Sequence, residues 1–193
     1  MELLDVVDEN NNLTGIKEDK DIIHQKGLWH RESAIWIMNE NGEMLFQKRA
    51  ASKKQNPNKW ALTAGHVDAG EEPIDTMVRE IQEELGVNIE KEKFSKILLE
   101  KEKSFSSESN TINARFTEHY FTIVPYKISD YKIQLSELSE VKYFSLEEIE
   151  KIIENKDENY VFSTKEYMQK VLPYLKERRE KLCVKKLSLE TGK

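Results

Sequence analysis

The sequence predicts a protein of the α/β class, and three observations support this prediction. Several short segments, such as residues 33–38 and 116–126, alternate apolar and polar side chains and are rich in β-branched and aromatic residues, as is typical of strands. Asn41-Gly42 stands between two such segments and is the dipeptide that tight β-hairpins favour. Residues 73–85 instead carry apolar side chains at helical spacing, which predicts an amphipathic helix among the strands.

The predicted strands are the alternating or apolar segments that turn residues bound on either side. In chain order they cover residues 3–7, 13–16, 33–38, 43–49, 60–63, 87–89, 97–99, 116–126 and 140–144. The first two enclose a polar turn over residues 8–12 and therefore predict a small hairpin. Polar composition predicts loops over residues 50–59 and 100–110, and no element is assigned to the polar residues 17–30.

Three helices are predicted, and the first two carry a signal at one or both ends. Pro73 suits the first turn of the helix over residues 73–85, and Gly86 suits its C-terminal cap. The sequence from Ser145 to Glu148 resembles a capping box and starts a helix over residues 146–154. A third helix is expected over residues 164–182, with a frayed tail after it. We expect one domain over residues 1–193, with a core at about 30–150 and a helical C-terminal extension at about 150–185.

Composition excludes several functional classes. The chain has 36 acidic and 30 basic side chains and a net charge of −6, which argues mildly against binding to nucleic acids or anionic membranes. Its single cysteine, Cys183, excludes an intrachain disulfide framework and a cysteine-based metal site. The first residues lack the pattern of a signal peptide, and no apolar run approaches the roughly 20 residues of a membrane-spanning helix. We therefore expect a cytoplasmic protein.

Carboxylates on the predicted helix are the first indication of chemistry. At about 100° per residue, Glu80, Glu83 and Glu84 share one helix face. Like charges at this spacing repel, and a hard divalent cation such as Mg²⁺ or Mn²⁺, which prefers oxygen ligands, would turn that repulsion into binding. Arg79, four residues before Glu83, can hold a carboxylate in place. Taken alone, the three glutamates fit a solvated acidic helix face better than a metal site.

The longer pattern around these glutamates extends over 23 residues. It resembles the Nudix box, Gly-x5-Glu-x7-Arg-Glu-U-x-Glu-Glu-x-Gly-U with U an aliphatic residue, and the matching residues are Gly65, Glu71, Arg79, Glu80, Ile81, Glu83, Glu84, Gly86 and Val87. The resemblance implies an α/β/α sandwich around a mixed sheet. It also implies metal-dependent hydrolysis of a diphosphate that is linked to another chemical group.

The same resemblance implies roles for the box residues. Glu80, Glu83 and Glu84 would ligate Mg²⁺ or Mn²⁺, with the carbonyl of Gly65 as a further ligand. Glu71 would pair with Arg79 and fix the loop to the helix. A carboxylate would orient or deprotonate the attacking water, and the candidates are Glu83 first, Glu118 on the predicted strand 116–126 second, with Glu84 as a further catalytic candidate.

A narrower resemblance covers about residues 2–90. It is to the isopentenyl-diphosphate isomerase-like Nudix proteins, and the residues that carry it are His30, Asn41-Gly42, Gln47 to Ala50, Lys53-Lys54, Pro57, Trp60 and Gly65-His66. Isomerases of this type need a catalytic cysteine just before the Gly-His pair, and Ala64 stands at that place. The sequence therefore favours an isomerase-like hydrolase over an isomerase.

Histidines and basic residues complete the set of candidates. The isomerases bind a separate metal through histidines; His30 and His66 match two of those positions, and His24 matches a third with one gap. The alternative is that these histidines are ordinary polar loop residues. Arg49 at a predicted strand end is the best candidate for a phosphate contact, and Lys48 and His66 join it as candidate substrate-binding residues.

The leading functional hypothesis is a Mg²⁺- or Mn²⁺-dependent Nudix pyrophosphohydrolase that acts on a nucleoside diphosphate derivative or another small organic diphosphate. One alternative is an isopentenyl-diphosphate isomerase, against which Ala64 argues. The other is a non-catalytic ligand-binding module, against which the intact set of box glutamates argues. We expect a small-molecule diphosphate as the binding partner, no nucleic-acid polymer and no membrane. The C-terminal helices leave room for a homodimer contact.

Overall fold

The structure is a computed structural model that describes residues 2–106 and 111–190. Its strands are β1 (Leu3–Val7), β2 (Leu13–Asp19), β3 (Trp29–Asn39), β4 (Met44–Arg49), β5 (Trp60–Ala61), β6 (Thr63–His66), β7 (Ser95–Ser106), β8 (Thr111–Val124) and β9 (Leu138–Phe144). Its α-helices are α1 (Lys20–Lys26), α2 (Pro73–Glu80), α3 (Leu146–Glu154) and α4 (Lys165–Glu190). A π-helical turn, Ile81–Leu85, continues α2. The predicted mixed α/β class with a helical C-terminal extension is confirmed.

The chain divides into two compact units, and the first comprises Met1–Trp36 and Thr63–Thr122. In this unit β1 and β2 form an antiparallel hairpin, as predicted. Strand β6 pairs antiparallel with β3, so that His66 lies opposite Glu32. Strands β7 and β8 form a long antiparallel pair. Helix α2 starts after the loop that follows β6, and the hydroxyl of Ser33 donates a 2.6 Å hydrogen bond to the carbonyl of Pro73 at its first turn.

The second unit comprises Ile37–Leu62 and Ile123–Lys193. Strand β4 pairs antiparallel with β5 and with β9. Helix α3 begins with the predicted capping box, because the hydroxyl of Ser145 accepts from Glu148 N and the Glu148 carboxylate accepts from Ser145 N. Helix α4 is tied to α3 by an ion pair between Arg179 and Glu147 at 2.7 Å. Gly42 has φ 81°, a conformation that favours glycine, and a Cβ there would lie 2.6 Å from Arg179 Cγ.

Two local predictions were wrong. One segment lacks an apolar pattern, and the other lacks a partner strand. Residues 100–106 were expected to be a loop and belong to β7, where charged pairs such as Glu102 and Arg115 replace apolar contacts across the ladder; residues 107–110 lie outside the described part of the chain. Residues 87–89 were expected to be a strand. Val87 and Ile89 are buried but form no β-ladder, because burial alone does not supply a neighbouring strand.

Three helix predictions also need correction. Helix α1 was not predicted; Asp19 caps its start and Gly27, at φ 64°, ends it. The helix predicted over residues 73–85 is α-helical only to Glu80, since apolar spacing does not distinguish an α-turn from the π-turn that follows. The tail expected to fray after residue 182 is helical to Glu190, because it is rich in leucine and lysine, which favour helices even when exposed.

Within the described residues, no helix is both long enough and apolar enough to cross a membrane.

Candidate functional site

The box loop and helix α2 meet at Gly65. This residue lies on β6, and a Cβ built on it would be 2.7 Å from Glu80 Cγ and still closer to the carboxyl group. Any side chain at this position would therefore displace Glu80. Glycine lets the backbone of β6 approach the carboxylate directly, which brings two residues of the predicted ligand set, Gly65 and Glu80, into contact.

Arg79 connects the loop to the helix. Its Nε and Nη2 donate to the two carboxylate oxygens of Glu71 at 3.2 and 3.1 Å, and Nη2 also donates to the carbonyl of His66 at 3.2 Å. The Thr76 hydroxyl donates to Glu71 at 2.7 Å. Burial opposes the charge of Glu71, but the hydrogen bonds from Arg79 and Thr76 lower its pKa below the usual value. The geometry is that of a bidentate arginine–carboxylate pair.

The same guanidinium gathers two of the other box carboxylates. Arg79 Nη1 donates to Glu80 at 2.8 Å and lies 3.6 Å from Glu83. Burial raises the pKa of Glu80 to about 7, with a smaller contribution from the nearby charge of Glu83. Nη2 also lies 3.8 Å from Asp68, so one arginine serves four carboxylates, and the site holds more negative charge than its own cation neutralises. A divalent cation would remove this deficit, so the residues present fit such an ion.

The π-helical turn separates the environments of the last two box glutamates. Glu83 is 56% exposed, whereas Glu84 is buried. Within residues 2–106 and 111–190, the oxygens of the three box glutamates do not form a group that lies within 4.8 Å of one another. Turns of this type are frequent at functional sites, and here the turn leaves Glu83 exposed to solvent and Glu84 buried.

Glu118 is engaged by residues that do not belong to the box. Its carboxylate forms an ion pair with Lys96 at 2.7 Å and accepts a hydrogen bond from the Tyr120 hydroxyl at 2.7 Å. Both contacts lie within the β7–β8 pair. A water-activating role for Glu118 would require these interactions to be broken, and this makes Glu118 the weaker candidate.

The three candidate histidines do come together. His24 on α1, His30 on β3 and His66 on β6 each offer a ring nitrogen within 4.8 Å of the other two. The Nε2 atoms of His66 and His24 are 3.3 Å apart, and Nε2 of His30 is buried without a hydrogen-bond partner. Burial lowers the pKa of His24 and lowers that of His66 to about 4. The rings of His24 and His66 are therefore neutral at pH 7, the form that binds metals.

Sequence reasoning missed two residues beside this histidine cluster. Glu32 Oε1 lies 3.4 Å from His66 Nε2 and 3.9 Å from His30 Nε2, while its Oε2 accepts from Arg115 at 2.9 Å. Burial would raise the pKa of Glu32, but Arg115 and the histidines lower it. A signal existed in the sequence: Glu32 follows His30 by two residues, and alternate residues of a strand share a face.

The remaining candidates are placed as follows. Ala64 is exposed on β6, opposite Ala34, and its methyl group offers neither an acid nor a base. Arg49 and Lys48 belong to the second unit. Arg49 Nε donates to the carbonyl of Gln55 at 3.1 Å, and Lys48 Nζ lies 5.8 Å from the centre of the Trp60 ring.

The fold and the site define an α/β protein in which a helix carries a group of carboxylates and one of them packs against a glycine of a strand. Comparison with known proteins names the family. The NUDIX domain matches residues 28–165, and this chain therefore belongs to the Nudix hydrolase family. Its structure is similar to that of DR0079 from Deinococcus radiodurans, with a TM-score of 0.62 and 20% identity over 80% of this chain and 90% of that one.

Three relatives refine the comparison. Nudix hydrolase 3 of Arabidopsis thaliana is 30% identical over 83% of this chain, which spans only 21% of that protein. An uncharacterized Nudix hydrolase of Clostridium acetobutylicum is 31% identical over 80% of this chain and 75% of its own length. The isopentenyl-diphosphate Delta-isomerase of Serratia proteamaculans is 36% identical over 49% of this chain and 52% of its own length. The expected isomerase-like relationship within the family is confirmed.

Proposed function

We propose that this protein hydrolyses a diphosphate bond in a nucleoside diphosphate derivative or another small organic diphosphate, with Mg²⁺ or Mn²⁺ held by the box. The observation that carries the proposal is the close approach of Glu80 to Gly65, together with the surplus of negative charge around Arg79. Family membership supports hydrolysis of this bond type, and the substrate and the metal are our inference.

The proposed ligands are the carboxylates of Glu80, Glu83 and Glu84 with the carbonyl of Gly65. A bound divalent cation would neutralise phosphate charge and lower the pKa of a water molecule. Glu83 is the proposed base, because its exposed carboxylate can reach a water and Arg79 orients it from 3.6 Å. Glu71 keeps Arg79 in place and takes no proton.

Isomerisation and a purely ligand-binding role are the weaker functions. Protonation of a carbon skeleton needs an acid where Ala64 offers a methyl group. A protein that had lost catalysis would be expected to lack some of the box residues, whereas all of them are present in this chain.

The test is a hydrolysis screen with Mg²⁺ or Mn²⁺ over nucleoside diphosphate sugars, dinucleotides, nucleoside triphosphates, coenzyme A and isoprenoid diphosphates. We expect phosphate-containing products from one class, and a kcat at least about 10²-fold lower in Glu83→Gln. Glu90→Gln is the matched control, because Glu90 is exposed and pairs with Lys93 outside the box. No turnover of any compound, or equal rates in Glu83→Gln and the control, would reject the proposal.

A second metal site is proposed at His24, His30 and His66, and the buried, unpartnered Nε2 of His30 supports it. Imidazole ligands favour first-row metals such as Zn²⁺ over Mg²⁺. Calorimetric titration with Zn²⁺ tests this site in a Glu80→Gln background, in which the box is weakened. We expect one site, which is lost in His30→Gln. Equal binding by both proteins would reject it.

The substrate-binding and assembly expectations remain proposals as well. Arg49, Lys48 and His66 are proposed to contact the substrate, and substitution of Arg49 by Gln should raise KM more than it lowers kcat if Arg49 binds a phosphate.

A homodimer is proposed through the C-terminal helices, on which Val184 and Leu187 are exposed. Light scattering of the purified chain would distinguish a dimer from a monomer.

A further inference from the structure

Strand β1 lies before residue 28, where the family match begins, and it is firmly anchored in the first unit. The side chain of Leu4 is buried in a small core with Val6 of the same strand and Ile23 of α1. On its other side β1 pairs with β2, and the Thr14 hydroxyl donates a 2.7 Å hydrogen bond to the carbonyl of Val6. A strand held in these two ways is a fixed support for any segment that binds it.

Residues 68–71 of the box loop form a β-turn. Glu71 N donates to the carbonyl of Asp68 at 2.9 Å, which closes the turn. Its third residue, Gly70, has φ 89°, a value that a type II turn requires and that glycine adopts without strain. Types I and II differ chiefly in the orientation of the peptide group that joins the two central residues. A partner that binds the N–H of Gly70 therefore fixes which turn is present.

Strand β1 supplies that partner. One carboxylate oxygen of Asp5 accepts from Gly70 N at 2.7 Å, and the carbonyl of Leu3 accepts from Ala69 N at 2.8 Å. The turn itself uses neither of these amides, since its own hydrogen bond runs from the fourth residue to the first. A flip of the peptide between Ala69 and Gly70 would turn the Gly70 N–H away from Asp5 and break a charge-assisted hydrogen bond.

The turn ends at Glu71, whose carboxylate binds Arg79, and Arg79 in turn donates to Glu80. We infer that Asp5 is a positioning residue of the box: by holding the Gly70 amide it selects the type II turn, and the turn places Glu71 where it can fix Arg79. Asp5 thus acts through Glu71 and Arg79 on the carboxylates of the helix.

The first test is hydrogen exchange of the Gly70 amide in the metal-free full chain, followed by NMR. We expect this amide to be protected in the wild type and to exchange about tenfold faster in Asp5→Ala, which loses a hydrogen bond to a charged group. Asp5→Asn should retain most of the protection, because its side-chain oxygen still accepts a hydrogen bond. Thr14→Val is the matched control, since it removes a hydrogen bond from the same hairpin without touching the turn, and it should match the wild type.

The second test is a calorimetric titration of the same proteins with Mg²⁺, and it rests on the proposed function. Asp5→Ala should bind Mg²⁺ about tenfold more weakly than Thr14→Val, and Asp5→Asn should recover most of the affinity. Gly70→Ala disturbs the same turn independently. Among the described residues outside its chain neighbours, a Cβ there would meet only Lys17 Nζ, at 3.9 Å, so its effect comes from the positive φ. The double variant of Asp5→Ala and Gly70→Ala should bind no more weakly than the worse single variant, because both release one turn.

Two results would overturn the inference: an unprotected Gly70 amide in the wild type, or a folded Asp5→Ala variant that matches Thr14→Val in Mg²⁺ affinity. The wild-type exchange rate decides even if the alanine variant does not fold. Failure of the proposed function gives a different result, in which no compound of the screen is hydrolysed while Mg²⁺ affinity still separates Asp5→Ala from Thr14→Val. A wild type that binds no Mg²⁺ would reject both the metal site of the box and the role of Asp5 in it.

Discussion

At the scale of single residues, the contact between Gly65 and Glu80 decides the geometry of the box. The sequence pattern requires a glycine at this position but gives no reason for it. The structure supplies one, since the space of a Cβ is taken by the Glu80 carboxyl group. The glycine of the motif therefore has a steric origin in addition to any role of the Gly65 carbonyl as a ligand.

Gly65→Ala tests this steric origin. The added methyl group must push Glu80 out of its place, so we expect at least about tenfold weaker Mg²⁺ binding. The folded state should lose roughly 1–3 kcal/mol, as in other overpacked sites. Ala64→Ser, an exposed change at the neighbouring position, is the control for both measurements. Unchanged Mg²⁺ affinity in the folded glycine variant would contradict the explanation.

Glu80 itself should respond to pH in a defined direction. Its pKa is raised by burial from 4.5 to about 7, so the folded chain holds a proton in this window that the unfolded chain releases. Stability therefore falls as pH rises from about 4.5 to about 7 because of this group. Without metal at about pH 8, Glu80→Gln should be more stable than the wild type by on the order of 1–2 kcal/mol.

Urea unfolding measures this effect, and the exposed change Glu90→Gln serves as the control. Below about pH 4.5 the advantage of Glu80→Gln should vanish, since the carboxyl group is then protonated in both states. Added Mg²⁺ should stabilise the wild type more than the variant. A variant that is less stable at about pH 8 without metal would show that burial does not penalise the Glu80 charge.

At the scale of elements, the sequence predicted what a local pattern encodes. The hairpin β1–β2, the strands around Asn41-Gly42 and helix α3 carry strong local signals, and all were predicted. The charged continuation of β7 and the short helix α1 were missed, because their stability comes from partners distant in sequence. The histidine cluster shows the same limit: the histidines were candidates and Glu32 carried a local signal, whereas the contact of Arg115 with Glu32 emerged only from the structure.

The capping box of α3 gives an element-scale prediction. The Ser145 hydroxyl accepts from Glu148 N at 3.2 Å, and the Glu148 carboxylate accepts from Ser145 N at 2.7 Å. Ser145→Ala removes the first bond and should lower the free energy of unfolding by about 1 kcal/mol. Hydrolysis should keep the wild-type kcat, because α3 lies in the second unit and carries no box residue. A stability equal to that of the exposed control Ser188→Ala would contradict the capping role.

At the scale of the whole molecule, buried ionisable groups act against one another. Burial lowers the pKa of His24, His66 and His119, whereas it raises that of Glu80. Each histidine excludes a proton that the unfolded chain binds below about pH 6.5, so its contribution to stability rises with pH. The Glu80 contribution falls with pH over nearly the same window. Burial also raises the pKa of Asp68, which therefore acts in the same direction as Glu80. The three histidines outnumber these two carboxyl groups, so the histidine slope should dominate.

The pH profile of unfolding checks that balance. We expect the metal-free chain to lose stability as pH falls from about 6.5 toward about 4, because the unfolded state then binds more protons than the folded state. Removing one group from each side separates the contributions: His66→Gln should flatten the profile, and Glu80→Gln should steepen it. The measurement is the free energy of urea unfolding at several pH values for the three proteins. If His66→Gln instead leaves the slope unchanged, His66 is charged in the folded chain, and a neutral histidine cluster ready to bind a metal is no longer tenable.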